Sequence, residues 1–473
     1  MLFNSQLFLL VFLPAALVVQ WIVADHWRWW IASLLCMSAV FYSYWNPPLL
    51  LLLIGSILLN WWTAQQFGRT RNIMWLTAGI VADLAILGTF KYLDFFLGTV
   101  ASVAGFGYRP LAIALPLGIS FFSFQQIGYL VDLRRGVAKP HPLVRYALYV
   151  SFFPHLIAGP LLRHSEFFAS LDKRRPREET TRLYGQGLAL MVFGLMKKVL
   201  IADNLGFAVN QLFGHAAAGP LSFAEGWLAA LGFALQIYFD FSGYSDIAIG
   251  LGLLFGIVIP DNFDAPYRTT CVIDFWRRWH MTLSRMLRDY LYISMGGSRY
   301  GLSRQMSALL VTMLLGGLWH GAGWTFVIWG GLHGLALAAN HLWRRAGVTM
   351  PPVLGWLLTF LFVVAAFVIF RADTMASARH VLAAMAGADG WSSEVRLVES
   401  GWRPPLFGSI LGETLMWLGV AMAFATIGPT SQEIVRNRLA PRWWIAATLA
   451  LMLSYLIIEL GGEGGAEFVY FQF

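Results

Sequence analysis

Val353-Leu-Gly-Trp-Leu-Leu-Thr-Phe-Leu-Phe-Val-Val-Ala-Ala-Phe-Val-Ile-Phe370 contains no charged side chain and a single hydroxyl. A helix of that length nearly crosses the hydrocarbon core of a bilayer, which takes about 20 apolar residues at about 1.5 Å each. The mostly apolar runs Leu7 to Val23, Leu49 to Trp61 and Trp443 to Ile458 read the same way. Backbone groups in lipid must be satisfied within their own segment, so these runs predict helices.

Composition extends the reading to the whole chain. Of 473 residues, 58% are hydrophobic and 12% charged, against roughly 25% charged in soluble domains. Such a chain cannot cover itself with polar surface. The expected fold is an all-α polytopic membrane protein with roughly 10–12 transmembrane or re-entrant helices, as a single domain over residues 1–473. The first apolar segment starts at once, without a preceding positive charge, and is followed by Asp25, His26 and Arg28. It is expected to be a retained span. The 21 Trp suit interfacial belts. Cys36 and Cys271 lie far apart without CxxC spacing, which argues against a disulfide framework and a thiolate metal site.

The net charge of +8 gathers in loops: Arg69 and Arg71; Arg134 and Arg135; Lys173 to Arg177; Arg277 to Arg304; Arg344 and Arg345; Arg436 to Arg442. Lys and Arg flanking spans favour the cytoplasmic side. With no soluble domain to carry a basic face, nucleic acid is not an expected partner, whereas membrane lipids are. No internal repeat is visible, which weakens a transporter built on duplicated halves.

Chemistry is to be sought in the middle third, Tyr184 to His341, which holds Gln236, Asp240, Ser242, Ser245, Asp246, Asp274, His280, Asp289, His320 and His333. Ionisable groups at membrane depth are costly and normally face a cavity or a partner. Within it, Asp274 to Tyr290 is neither a span nor an ordinary loop. At helical spacing Phe275, Trp279, Leu283, Met286 and Leu287 form an apolar side, while Arg277, Arg278, Arg285 and Arg288 supply positive charge. Two readings stand: a basic amphipathic anchor along the interface, or a phosphate-binding wall for an acyl-carrying donor.

His320 sits in Gly316-Gly-Leu-Trp-His320-Gly-Ala-Gly-Trp324, an apolar stretch with small residues that let a neighbouring helix or ligand approach. A neutral imidazole there could take the proton of an attacking hydroxyl, a contribution of roughly 10²- to 10⁴-fold. His280 could orient it or bind substrate. The alternative for any one of these histidines is a hydrogen-bonded residue between helices. On one continuous helix His333 would fall about 140° round and roughly 20 Å from His320. It is therefore expected in another environment unless Gly330-Gly331 breaks the helix. No close pair of ligands occurs among His280, His320 and His333, so no metal is expected.

Four motifs carry a resemblance: Phe153-Pro-His155-Leu-Ile-Ala-Gly159-Pro160-Leu-Leu-Arg163, Tyr238-Phe-Asp240-Phe-Ser-Gly-Tyr244-Ser-Asp246-Ile-Ala-Ile-Gly, Phe275-Trp-Arg-Arg-Trp-His280 and Gly317-Leu-Trp-His320-Gly-Ala. Together, with core motifs inside residues 146–341, they resemble the membrane-bound O-acyltransferase family. The resemblance implies a helix bundle around a central tunnel, His320 as the essential histidine and His280 as the second, cytoplasmic one. It implies acetyl-CoA as a donor that is used and not retained, with Arg277, Arg278, Arg285 and Arg288 as candidate donor contacts. It further implies a bacterial inner-membrane location and a periplasmic SGNH-hydrolase-like partner that acetylates an exported polysaccharide, alginate first, with cellulose and peptidoglycan as alternatives. The C-terminal aromatic tail, residues 466–473, resembles a terminal motif of this branch, in which Tyr470 is either an acyl relay or part of an interfacial anchor. Met286 and Ser294-Met295 depart from the alginate pattern. Outside this family, His280, His320, Asp240 and Asp246 could form the relay of a proton-coupled transporter, and a scaffold without chemistry would leave the buried histidines unexplained.

Overall fold

The computed structural model describes residues 1–44, 46–173, 176–398, 409–463 and 467–469. Among them the regular structure is helix throughout, with no strand. Three helices are individually long and apolar enough to cross a membrane: Pro47–Thr70, Pro352–Arg371 and Trp443–Gly461. A fourth arises if Ile410–Thr426 and Ser431–Arg438, bent by 61°, count as one span. The other apolar stretches are shorter, or carry polar side chains. Several helices are also interrupted by π turns at Phe8–Phe12, Gly88–Tyr92, Lys197–Ala202, Leu287–Tyr292 and Ile434–Arg438. Pro47-Pro48 and Pro352 open two of the spans at their first turn, where a missing N–H costs nothing.

The described chain forms two compact units. Residues 1–192, 247–260 and 441–467 make up the first. Its centre is aromatic: Phe41 lies 5.2 Å from Phe3 and 5.3 Å from Phe153, and Phe153 lies 5.3 Å from Phe255, ring centre to ring centre. The first sequence motif belongs here, where Phe153 fills this cluster and buried His155 meets Gln125 at 3.0 Å.

The second unit comprises residues 193–246, 261–440 and 468–473. Its centre is the antiparallel hairpin of Leu302–His320 and Trp324–Arg345, joined through Gly321-Ala322-Gly323. The two backbones touch. A Cβ on Gly317 would stand 2.2 Å from the Phe326 carbonyl oxygen, and one on Gly330 would stand 2.2 Å from that of Met313. Small residues are what permit such contact in a medium that gives helices no hydrophobic push. Pro352–Arg371 packs against the hairpin, with Phe367 and Phe370 among the aromatic rings of Trp279 and Trp329.

Buried charges of the second unit are paired. The π turn Lys197–Ala202 lets two successive lysines engage one neighbouring helix, Lys197 reaching Asp246 at 2.6 Å and Lys198 reaching Asp240 at 2.7 Å. Lys198 also meets Asp203 at 2.7 Å. Asp246 accepts from Ser431 and Gln432 as well. Near the C-terminus, the Val469 N–H donates to Asp240 at 3.0 Å, and the Lys198 ammonium sits 4.7 Å from the Phe468 ring centre.

Candidate active site

The segment from Asp274 is not one amphipathic helix. It is two short ones, Val272–Arg278 and Met281–Met286, followed by the π turn, with the break at Trp279-His280. His280 has φ +42° and ψ +53°, in the left-handed region that a side chain rarely adopts. The expected apolar side is buried inside the protein, since Phe275, Trp279, Leu283, Met286 and Leu287 are all nearly inaccessible. Burial on both sides of the break is why the sequence pattern looked helical while the backbone turns.

Asn262 secures this turn. Its Oδ1 accepts from the Thr282 N–H at 3.3 Å, the Thr282 hydroxyl at 2.8 Å and His280 Nδ1 at 3.1 Å, and its Nδ2 donates to Ser245 at 3.1 Å. A backbone N–H can only donate, so the atom it meets is the amide oxygen, and His280 Nδ1 must carry the proton. His280 Nε2 is then left with its lone pair, and it has no partner among the described residues.

His320 ends its helix immediately before the Gly321-Ala322-Gly323 break and is 6% exposed. Its ring centre lies 6.4 Å from that of His280. Its ring stands nearly perpendicular to those of Trp329, 5.2 Å away, and Phe370, 5.4 Å away, centre to centre. Two buried imidazoles so placed can both reach one small reacting group, while the surrounding rings exclude water.

His333 does not share a continuous helix with His320, contrary to the premise of the sequence reading. The chain breaks at Gly321-Ala322-Gly323 and doubles back, so Gly330-Gly331 lies inside an intact helix. Trp329 touches both histidines, with its ring centre 4.8 Å from that of His333. The Trp276 indole donates to His333 Nδ1 at 3.2 Å, which places the His333 proton on Nε2.

The four arginines are not equivalent. Arg278 is engaged by Asp274 at 3.2 Å and Asp264 at 3.3 Å, and Arg288 by its neighbour Asp289 at 2.6 Å. Arg277 is exposed and has no ion pair among the described residues, whereas Arg285 is partly buried. Tyr470 lies outside the described residues. Among the described residues, no group of three or more His, Cys, Asp or Glu side chains is placed to hold a metal ion. Asn262 and Trp329 escape a sequence reading, because one lies in an unpatterned loop and the other is one Trp among 21.

The model of a family described as MBOAT, membrane-bound O-acyltransferase family, matches residues 108–378. The chain is 41% identical over 520 residues to a Helicobacter pylori protein named "Peptidoglycan O-acetyltransferase", covering 100% of this chain and 98% of that one. It is 42% identical over 538 residues to the Pseudomonas aeruginosa protein named "Probable alginate O-acetylase AlgI", covering 100% of both. A "Teichoic acid D-alanyltransferase" of Streptococcus thermophilus is 29% identical over 54% of this chain and 68% of its own length.

Proposed function

Because the chain belongs to the membrane-bound O-acyltransferase family, and is thus an O-acyltransferase of the membrane, we propose that it passes an acetyl group from cytoplasmic acetyl-CoA across the bacterial inner membrane for O-acetylation of an exported polysaccharide. The observation that carries the reading is the buried pair His280 and His320, ring centres 6.4 Å apart. His320 takes the proton of the acceptor hydroxyl as it attacks the thioester carbonyl, and His280, held by Asn262 with its Nε2 lone pair free, assists. Arg277, Arg278, Arg285 and Arg288 meet the donor's phosphates.

The acyl group then leaves on Tyr470 or on a serine of a periplasmic SGNH-hydrolase-like partner, which esterifies the polymer. Alginate is the first proposed polymer, by similarity to the Pseudomonas protein. Peptidoglycan stands beside it, because the Helicobacter protein matches over the whole chain equally well. Acetyl-ester analysis of both polymers in a deletion strain identifies the one served. His320→Ala should abolish that acetylation while the protein still inserts in the membrane; normal acetylation in the variant would sink the proposal.

A further inference from the structure

Trp329, its ring centre 5.2 Å from that of His320, and His333, 4.8 Å from Trp329, each bury a ring nitrogen that has no partner among the described residues. Trp329 is 1% exposed and His333 is 0% exposed. An indole nitrogen can only donate, and His333 Nε2 carries its proton because Nδ1 is occupied by Trp276, so both orphans are N–H donors. A buried donor without an acceptor is costly to fold around, and ring packing by itself asks for no nitrogen. The two residues lie one turn apart on one face of Trp324–Arg345, and the Trp329 ring is perpendicular to that of His320, centres 5.2 Å apart.

Acyl transfer supplies the missing acceptor. As the hydroxyl oxygen bonds to the thioester carbon, the carbonyl π pair moves onto the carbonyl oxygen and the hydroxyl proton goes to imidazole. Collapse returns the pair, breaks the C–S bond and releases the thiol with the proton from imidazole. Between these events the former carbonyl oxygen is an anion in a water-excluded site.

We propose that Trp329 Nε1–H donates to that oxyanion. The assignment rests on the acyl transfer at His320 argued above. Fixed donors at the place where charge develops act mainly on the transition state, and losing one costs about 10²- to 10³-fold in kcat.

The test is Trp329→3-benzothienylalanine, in which sulfur replaces the N–H and the ring shape stays. Thioester-dependent transfer is then measured on the full-length protein in nanodiscs with acetyl-CoA and the proposed periplasmic partner as acceptor. The expected result is a kcat lower by about 10²- to 10³-fold with KM for acetyl-CoA within about twofold. An unchanged kcat, or a loss confined to KM, overturns the assignment. His320→Ala in the same preparation separates the failures. If that variant still transfers, the underlying reading is wrong; if it is inactive while the analogue matches wild type, only the oxyanion role falls.

Discussion

Lys198 is the residue whose burial most needs an explanation, since its side chain is 1% exposed and that of its partner Asp240 is 2% exposed. A buried ion pair adds little over an apolar replacement, but breaking one strands a charge and costs about 3–5 kcal/mol. Lys198→Met should therefore lower the unfolding midpoint of the purified protein sharply, and Lys198→Met with Asp240→Leu should recover part of the loss. Asp240 and Asp246 were legible as polar residues at membrane depth, but their lysines were not. The π turn that aims both at one helix leaves no trace in the residue pattern. Glu225 offers a pH test in the first turn of Phe223–Leu254, ahead of the apolar run. Burial pushes its carboxyl up, yet the Arg396 side chain, with the Ser222 and Arg396 N–H groups, outweighs this and holds it at about 2. A carboxyl depressed in the folded state stabilises above its unfolded value of 4.5 and loses that contribution as pH falls from there towards about 2. Wild type should unfold at a higher temperature than Glu225→Gln near neutral pH, and the gap should close over that acid window. A gap that persisted below it would contradict the pairing.

At the scale of elements, the hairpin of Leu302–His320 and Trp324–Arg345 decides where the chemistry sits. Gly316-Gly317 was readable as a close-approach pair and Gly330-Gly331 as a possible helix break, and the structure uses both Gly317 and Gly330 for close approach. The fold-back at Gly321-Ala322-Gly323 was missed, because an apolar run with scattered glycines has the same pattern whether it continues or reverses. That one break lets Trp329 contact both His320 and His333. Gly330→Ala should force the helices apart, since its Cβ would stand 2.2 Å from a carbonyl oxygen that cannot rotate away. A loss of about 1–3 kcal/mol in stability is expected, together with reduced transfer. Gly419→Ala, where nothing lies within 4 Å of the new Cβ, is the control and should behave as wild type in both assays. Equal behaviour of the two variants would contradict the packing argument.

For the whole molecule, membrane residence and an all-helical fold were plain from residues such as Val353 to Phe370, because a bilayer enforces internal backbone pairing and leaves few alternatives. The number of crossings was not equally plain. Apolar content is shared between lipid-facing spans and buried short helices such as Leu143–Ser151, whose Leu148 and Val150 are fully buried. His320 was singled out by its isolation in apolar sequence and His280 by its motif, whereas Asn262 and Trp329 gain meaning only from their neighbours in space. The most direct test of the central claim is cleavage of acetyl-labelled CoA by purified protein in nanodiscs with the proposed periplasmic partner present, comparing wild type with His320→Ala. The account predicts that wild type releases free thiol and places label on the protein or its partner, and that His320→Ala does neither. A thioester left intact by wild type, or cleaved equally by both, would contradict it.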